Sequence, residues 1–162
     1  MYILQNSILD YSVNIDFAEY VARRPMSSLF NQIIILNSNV NECTLIKECM
    51  EELQFCNTLY LVHTLASCKS VLDQLKSEHH VPEMIFVNID DEGVFPELIH
   101  SIRKDPYFKS LITISITEND ERRHHAYRYN LAGSLVRPFD KTSLKKQLDV
   151  FKNYWRLNVR PL

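Results

Sequence analysis

The sequence predicts an α/β fold: a doubly wound parallel sheet of five strands with helices on both faces, preceded by an N-terminal extension. Three observations predict it. From Gln32 onward, short apolar runs alternate with amphipathic stretches, the pattern of successive β-α units. A chain of 162 residues, 46% hydrophobic and 23% charged, has the length of one domain with a well-buried core. Two glycines against 8 Tyr and 8 Phe exclude a disordered or linker-rich chain.

The strand candidates are Ile33–Asn37, Leu59–His63, Met84–Asn88, Leu111–Thr117 and Ser134–Val136. Leu45, Ile46, Cys49, Met50 and Leu53 recur at helical spacing between the first two. Cys68, Val71, Leu72 and Leu75 do so in the second interval, and Leu98, Ile99 and Ile102 in the third. A fourth helix, near Asp120–Leu131, is unusually polar. The fifth begins after Asp140, an N-cap candidate, and carries Leu144, Leu148, Phe151 and Trp155 on one stripe. Five β-α units joined by right-handed crossovers make a flavodoxin-like sheet, order 2-1-3-4-5 by analogy. This places one domain at residues 32–162. Residues 1–31 form the extension, in which Asp16-Phe17-Ala18-Glu19 has a capping-box form followed by Tyr20 and Val21. A short amphipathic helix is expected there, packed on the domain as an extra layer or docked on a partner.

Several function classes are excluded. No segment approaches the roughly 20 consecutive apolar residues of a membrane span, and no Lys or Arg precedes Arg23, so a cytoplasmic location is expected. Cys43, Cys49, Cys56 and Cys68 lack zinc-ribbon or C-x-x-C spacing. Cys43 and Cys49, six apart, fall on different faces of one helix, and all four read as reduced thiols. The adjacent pairs His79-His80 and His124-His125 cannot chelate a metal from one helical face. Glycine-rich phosphate loops, nucleophile elbows and paired catalytic carboxylates are missing. The expectation is a non-enzymatic protein without cofactor or metal. Net charge of −2 conceals an asymmetry. Residues 1–121 carry 8 Lys+Arg and 18 Asp+Glu, whereas residues 122–162 carry 10 and 2, which bears on partners.

Residues Ile33-Ile34-Ile35-Leu36-Asn37-Ser38, Met84-Ile85-Phe86-Val87-Asn88 and Val136-Arg137-Pro138-Phe139-Asp140, with Ile102-Arg103-Lys104-Asp105-Pro106 between them, together resemble a response-regulator receiver domain. The tail Asn153-Tyr154-Trp155 is similar to the last helix of small stand-alone receivers of the phytochrome-associated type. The resemblance spans about Gln32 to Trp155. It implies that Asn37 and Ser38 stand where the family carries two adjacent acids. Asn88 stands at the phosphorylated aspartate, and Arg137 at the lysine of a Lys-Pro turn. The switch hydroxyl falls at Ser115 or Thr117, and the aromatic switch position on Ser134.

Strand ends one and three meet at the switch point of such a sheet, so Asn37, Ser38 and Asn88 are expected together. Phosphoryl transfer to a carboxylate needs an anionic nucleophile and Mg²⁺ held by carboxylates. Two amides and a hydroxyl supply neither, so a pseudo-receiver is expected. Asp90 and Asp91 are candidate displaced acceptors or, preferably, salt-bridge partners for Arg137; a bound anion is the alternative. Glu42 is assigned only to the helix dipole.

Receivers usually signal through the fourth helix, fifth strand and fifth helix. Here that region carries Arg122, Arg123, Tyr127, Arg128, Ser134, Lys145 and Trp155, a solvated basic face or an interaction face. The expected function is phosphorylation-independent protein interaction in two-component-type signal transduction. Candidate partners are a sensor kinase, another signalling protein or a second copy. A phosphorylatable regulator using Asp90 or Asp91 and a small nucleic-acid-binding protein are the alternatives. Acidic charge over the remainder disfavours the latter.

Overall fold

In a computed structural model, residues 4–5, 20–22, 30–91, 93–118 and 128–158 are described. Their elements are β1 (Leu4–Gln5), β2 (Tyr20–Ala22), β3 (Phe30–Leu36), α1 (Val40–Glu52), β4 (Cys56–Val62), α2 (Leu65–Ser77), β5 (Met84–Asn88), α3 (Val94–Lys104), β6 (Ile112–Thr117), β7 (Gly133–Val136) and α4 (Lys141–Asn158). Strands β3 to β7 are all parallel to their neighbours and run in the spatial order β4-β3-β5-β6-β7. That is the expected 2-1-3-4-5 sheet. The expected fourth helix lies mostly on residues 119–127, outside the described residues, and Arg128–Asn130 at its expected end form a turn. Helix α4 is therefore the fifth of the sequence pattern.

One expectation is corrected in the extension. Tyr20 and Val21 are strand, not helix: β2 pairs antiparallel with β4, Tyr20 opposite Leu59, and β1 pairs antiparallel with β2. The capping-box residues themselves lie outside the described residues. The described parts of the extension thus lengthen the sheet, covering the backbone edge that β4 would otherwise leave unpaired.

Alternation along the strands explains how both faces are covered. Ile34 and Leu36 of β3, with Ile85 and Val87 of β5, pack under α2 and α3. Ile33 and Ile35, with Met84 and Phe86, pack under α1 and α4. Such strands are buried on both sides, so their sequences are continuous apolar runs. Side-chain caps set where the helices begin. Asn39 accepts from the Glu42 N–H and Thr64 from the Ser67 N–H. Asp140 Oδ1, the expected cap of the last helix, accepts from the Ser143 N–H at 2.7 Å. Leu144 and Leu148 are buried, whereas the Trp155 side chain lies outside the described residues.

Cys43 and Cys49 are both buried, because α1 is covered by the sheet on one flank and by α4 on another. Cys49 reaches the carbonyl of Lys141. Burial pushes the Cys68 thiol up to about 12 and raises the Cys56 thiol as well. None of the four is in a disulfide.

Candidate functional site

Parallel pairing of Leu36 with Val87 brings the next residue of each strand, Asn37 and Asn88, side by side at the carboxyl edge. Asn88 Nδ2 donates to Asn37 Oδ1 at 2.9 Å. The orientation of both amides is fixed by backbone donors, since Asn39 N–H donates to Asn37 Oδ1 and Asp90 N–H to Asn88 Oδ1. Asn37 Nδ2 is thereby aimed at Glu42 Oε1, 2.6 Å away. A carboxylate at either position would lack these donor hydrogens. His63 Nδ1, at the end of β4, lies 2.8 Å from the Asn37 carbonyl, so the start of this loop is held from both sides.

Arg137 closes the cluster. Its backbone N–H donates to the Thr117 carbonyl, and its side chain turns back over the strand ends. Nε and Nη2 donate to Glu42 Oε2 and Oε1, and Nη1 donates to Asp90 Oδ2, each at 2.7 Å. All three side chains are less than one-fifth exposed. Burial alone would pull the guanidinium pKa down. Hydrogen bonding and charge from Glu42, with the charge of Asp90, more than offset this and raise it. The Phe139 ring lies 6.0 Å from the guanidinium carbon, within cation–π range.

Of the two candidate partners for Arg137, Asp90 is the one engaged. Its Oδ1 accepts from Thr117 Oγ1 at 3.3 Å, and its Oδ2 also accepts from the Glu118 N–H at 2.8 Å. Asp91 goes elsewhere, taking the Ser38 hydroxyl at 2.6 Å and the Ser38 N–H at 3.2 Å. Ser38 is consequently exposed and bonded to Asp91, while Asn37 and Asn88 are buried together. Thr117 touches the cluster. Ser115, one step back on the same face of β6, instead lies 2.6 Å from Ser134 Oγ.

Glu42 requires a correction. Its place on the first turn of α1 has a sufficient local reason in the helix dipole, yet it is the two-pronged partner of Arg137. The missed signal is geometric: a first-turn residue of a helix that follows a strand stands over the strand ends. Lys145, named for the interaction face, also has a partner within the fold. With Lys141 it binds the Glu52 carboxylate of α1, at 2.7 and 2.5 Å, and Lys152 caps the Leu53 carbonyl. These cations fasten α4 to α1. Arg128 is exposed and Ser134 half-buried, whereas Arg122, Arg123 and Tyr127 lie outside the described residues.

Among the described residues, no group of three or more His, Cys, Asp or Glu side chains is placed to hold a metal ion. The space between Glu42 and Asp90 is taken by the guanidinium. No helix among them is long and apolar enough to cross a membrane.

No known family's sequence profile matches the chain, and no curated protein does. Solved structures do match. A response regulator in red light signaling of R. palustris superposes with a TM-score of 0.65 at 12% identity, over 82% of this chain and 97% of its own. The phosphorylated cyanobacterial phytochrome response regulator RcpA gives 0.65 at 16% identity, over 82% and 98%. The Mn(2+)-bound response regulator Rcp1 gives 0.63 at 16%, over the same shares. At such identities the likeness speaks for the fold. By topology and by these neighbours, the chain has the fold of response-regulator receiver domains, small phytochrome-associated ones among them.

Proposed function

We propose that this chain is a pseudo-receiver: a module of two-component-type signal transduction that acts by binding protein partners and is not switched by phosphorylation. One observation carries the reading. The cation at the carboxyl edge, Arg137, is engaged through all three of its nitrogens by Glu42 and Asp90 from within the fold, and the neighbouring strand ends present interlocked amides. Among the described residues, a phosphoryl group arriving there would meet no carboxylate on β5 and no cation but the engaged Arg137. It would also meet several negative charges without a metal to neutralise them. Asp90 is a poor displaced acceptor, because its two oxygens already accept from Thr117, Glu118 and Arg137. Asp91 is engaged through both oxygens by Ser38.

A module held in one state signals by its abundance or by its partner's state, since without differential binding no population moves. The contact surface in this reading is the face from the expected fourth helix, with Arg123 and Arg128, to the last helix, α4. There Val150 and Tyr154, one helical turn apart on α4, are 68% and 55% exposed. A sensor kinase, another signalling protein or a second copy is the partner class. A nucleic-acid role is disfavoured, because Lys141, Lys145 and Lys152 already serve α1.

Intact-mass measurement after incubation with acetyl phosphate and Mg²⁺ tests the first half, and no phosphoryl adduct is expected. Light scattering with and without the phosphodonor, in wild type and Arg123→Glu/Arg128→Glu, tests the second. A donor-dependent mass change would overturn the locked state. A dimer that persists in the charge-reversed variant would move the interface elsewhere.

A further inference from the structure

The edge of the sheet opposite the Arg137 cluster carries a concavity of about 430 Å³ between the end of α3, the start of β6 and the turn before β7. The geometry points to it as a binding site for a small amphiphilic anion, an apolar ring or chain bearing one carboxylate or similar group. Its floor is apolar: Ile99, Ile102, Phe108, Leu111 and Leu131 line it. Each retains 4–9% exposure, whereas the core residues of the adjoining strand, Ile114 and Ile116, retain none. Core side chains are therefore reachable from solvent here, in a volume within the range of small-ligand sites.

Tyr129 forms one wall and is held in place twice. Its ring takes Phe95 edge-on, with centroids 5.2 Å apart and planes at 85°. Its carbonyl accepts from Arg103 Nη2, whose guanidinium also lies 5.9 Å from the ring. Such a wall is formed before any ligand arrives, so little ordering cost remains. Arg103 and the exposed Lys109 supply positive charge, Thr113 and Asn130 supply polar groups, and no acid is among the described lining residues. A second concavity of about 300 Å³ on the other flank of Tyr129 repeats the charge pattern with Arg103 and Lys104. Against a chain of net charge −2, a local surplus of cations over an apolar floor selects ligands that are at once apolar and negative. A neutral ring would leave the cations unused, and a bare anion would leave the floor empty.

The test uses the full chain, with 1-naphthoate as the charged probe and 1-naphthalenemethanol as its neutral counterpart, followed by calorimetry and amide chemical shifts. Saturable binding of one naphthoate per chain is expected, with shifts centred on Thr113, Asn130 and Leu131. The alcohol should bind at least about tenfold more weakly, the value of one charge-assisted hydrogen bond. Lys109→Glu, at an exposed position, should weaken naphthoate by a similar factor, while Lys146→Glu on the distant α4 should not. Ala132→Leu, which fills the mouth of the concavity, should also abolish binding. Absence of saturation, equal affinity for the alcohol, or indifference to Lys109→Glu would each overturn the assignment.

Discussion

Arg137 grips Glu42 with two parallel hydrogen bonds of 2.7 Å across 95 residues of sequence. Forked contacts of this kind fix orientation as well as distance, which a lysine ammonium could not do. The pair ties the turn after β7 to the first turn of α1, and Asp90 adds the loop after β5. Three connections at the carboxyl edge are thus joined through one cation. Asn37 extends the join inward through its amide to Glu42 and Asn88. In an open α/β sheet this edge is where ligands ordinarily enter; here it is spent on internal contacts.

Removing the cation should therefore cost more than an exposed ion pair does. Arg137→Met leaves two partly buried carboxylates facing each other without a counterion. The expected loss is about 3 kcal/mol, the lower end for a broken buried pair given the residual exposure. Arg137→Lys should recover only part of it, because one ammonium cannot reproduce the fork. Urea unfolding midpoints at constant slope check this. A change below about 1 kcal/mol would class the triad with ordinary surface pairs.

The amides at the strand ends should resist conversion to acids. Asn88→Asp removes the donor to Asn37 Oδ1 and sets a carboxylate against an acceptor oxygen. A loss of about 1–3 kcal/mol is expected. Calorimetric titration of the wild type with Mg²⁺ should show no saturable response below the millimolar range, since the Arg137 guanidinium already occupies the space between Glu42 and Asp90. A clear sub-millimolar site in the wild type would mean that the metal displaces the guanidinium.

Much of this was legible in the sequence, for local reasons. Continuous apolar runs such as Ile33–Leu36 announce doubly buried strands, and Asp140 before an amphipathic stripe announces a helix start. The order of the units then places Asn37 beside Asn88. What escaped has a tertiary cause. Glu42 already satisfied a local rule, so nothing in its neighbourhood pointed to a residue 95 positions away. Tyr20 and Val21 follow a capping-box pattern, but pairing with Leu59 and Thr58 on the edge of β4 decides their conformation. The pair of Lys145 with Glu52 was hidden for the same reason, its partner standing on α1, 93 residues away.

That last contact makes a pH prediction. Hydrogen bonds from Lys141 and Lys145 lower the Glu52 carboxyl from its ordinary 4.5 to about 2. A carboxyl depressed in the folded state stabilises fully above its unfolded value and ceases to do so as pH falls through the folded one. The stability gap between wild type and Glu52→Gln should accordingly be constant above about pH 5 and close progressively toward pH 2. Because the group is exposed, the gap should also shrink in high salt. Unfolding curves of both proteins across this range decide it, and a gap independent of pH would show that Glu52 acts through packing alone.

Gly133 is required by space. A Cβ built on it would fall 2.4 Å from Phe151 Cε1 and 2.7 Å from Cζ, so the ring of α4 lies directly on the backbone of β7. Phe151 is held there because α4 is pinned along its length by Leu144 and Leu148 in the core and by Lys152 on the Leu53 carbonyl. The helix cannot simply lift. Gly133→Ala should destabilise by about 1–3 kcal/mol, the usual cost of overpacking. The explanation makes a sharper demand on the double variant. In a Phe151→Leu background the ring atoms that clash are gone, so the same Gly133→Ala step should cost under about 0.5 kcal/mol, a coupling readable from a double-mutant cycle. An undiminished cost in that background would place the strain in the backbone of β7 itself and not in its contact with α4.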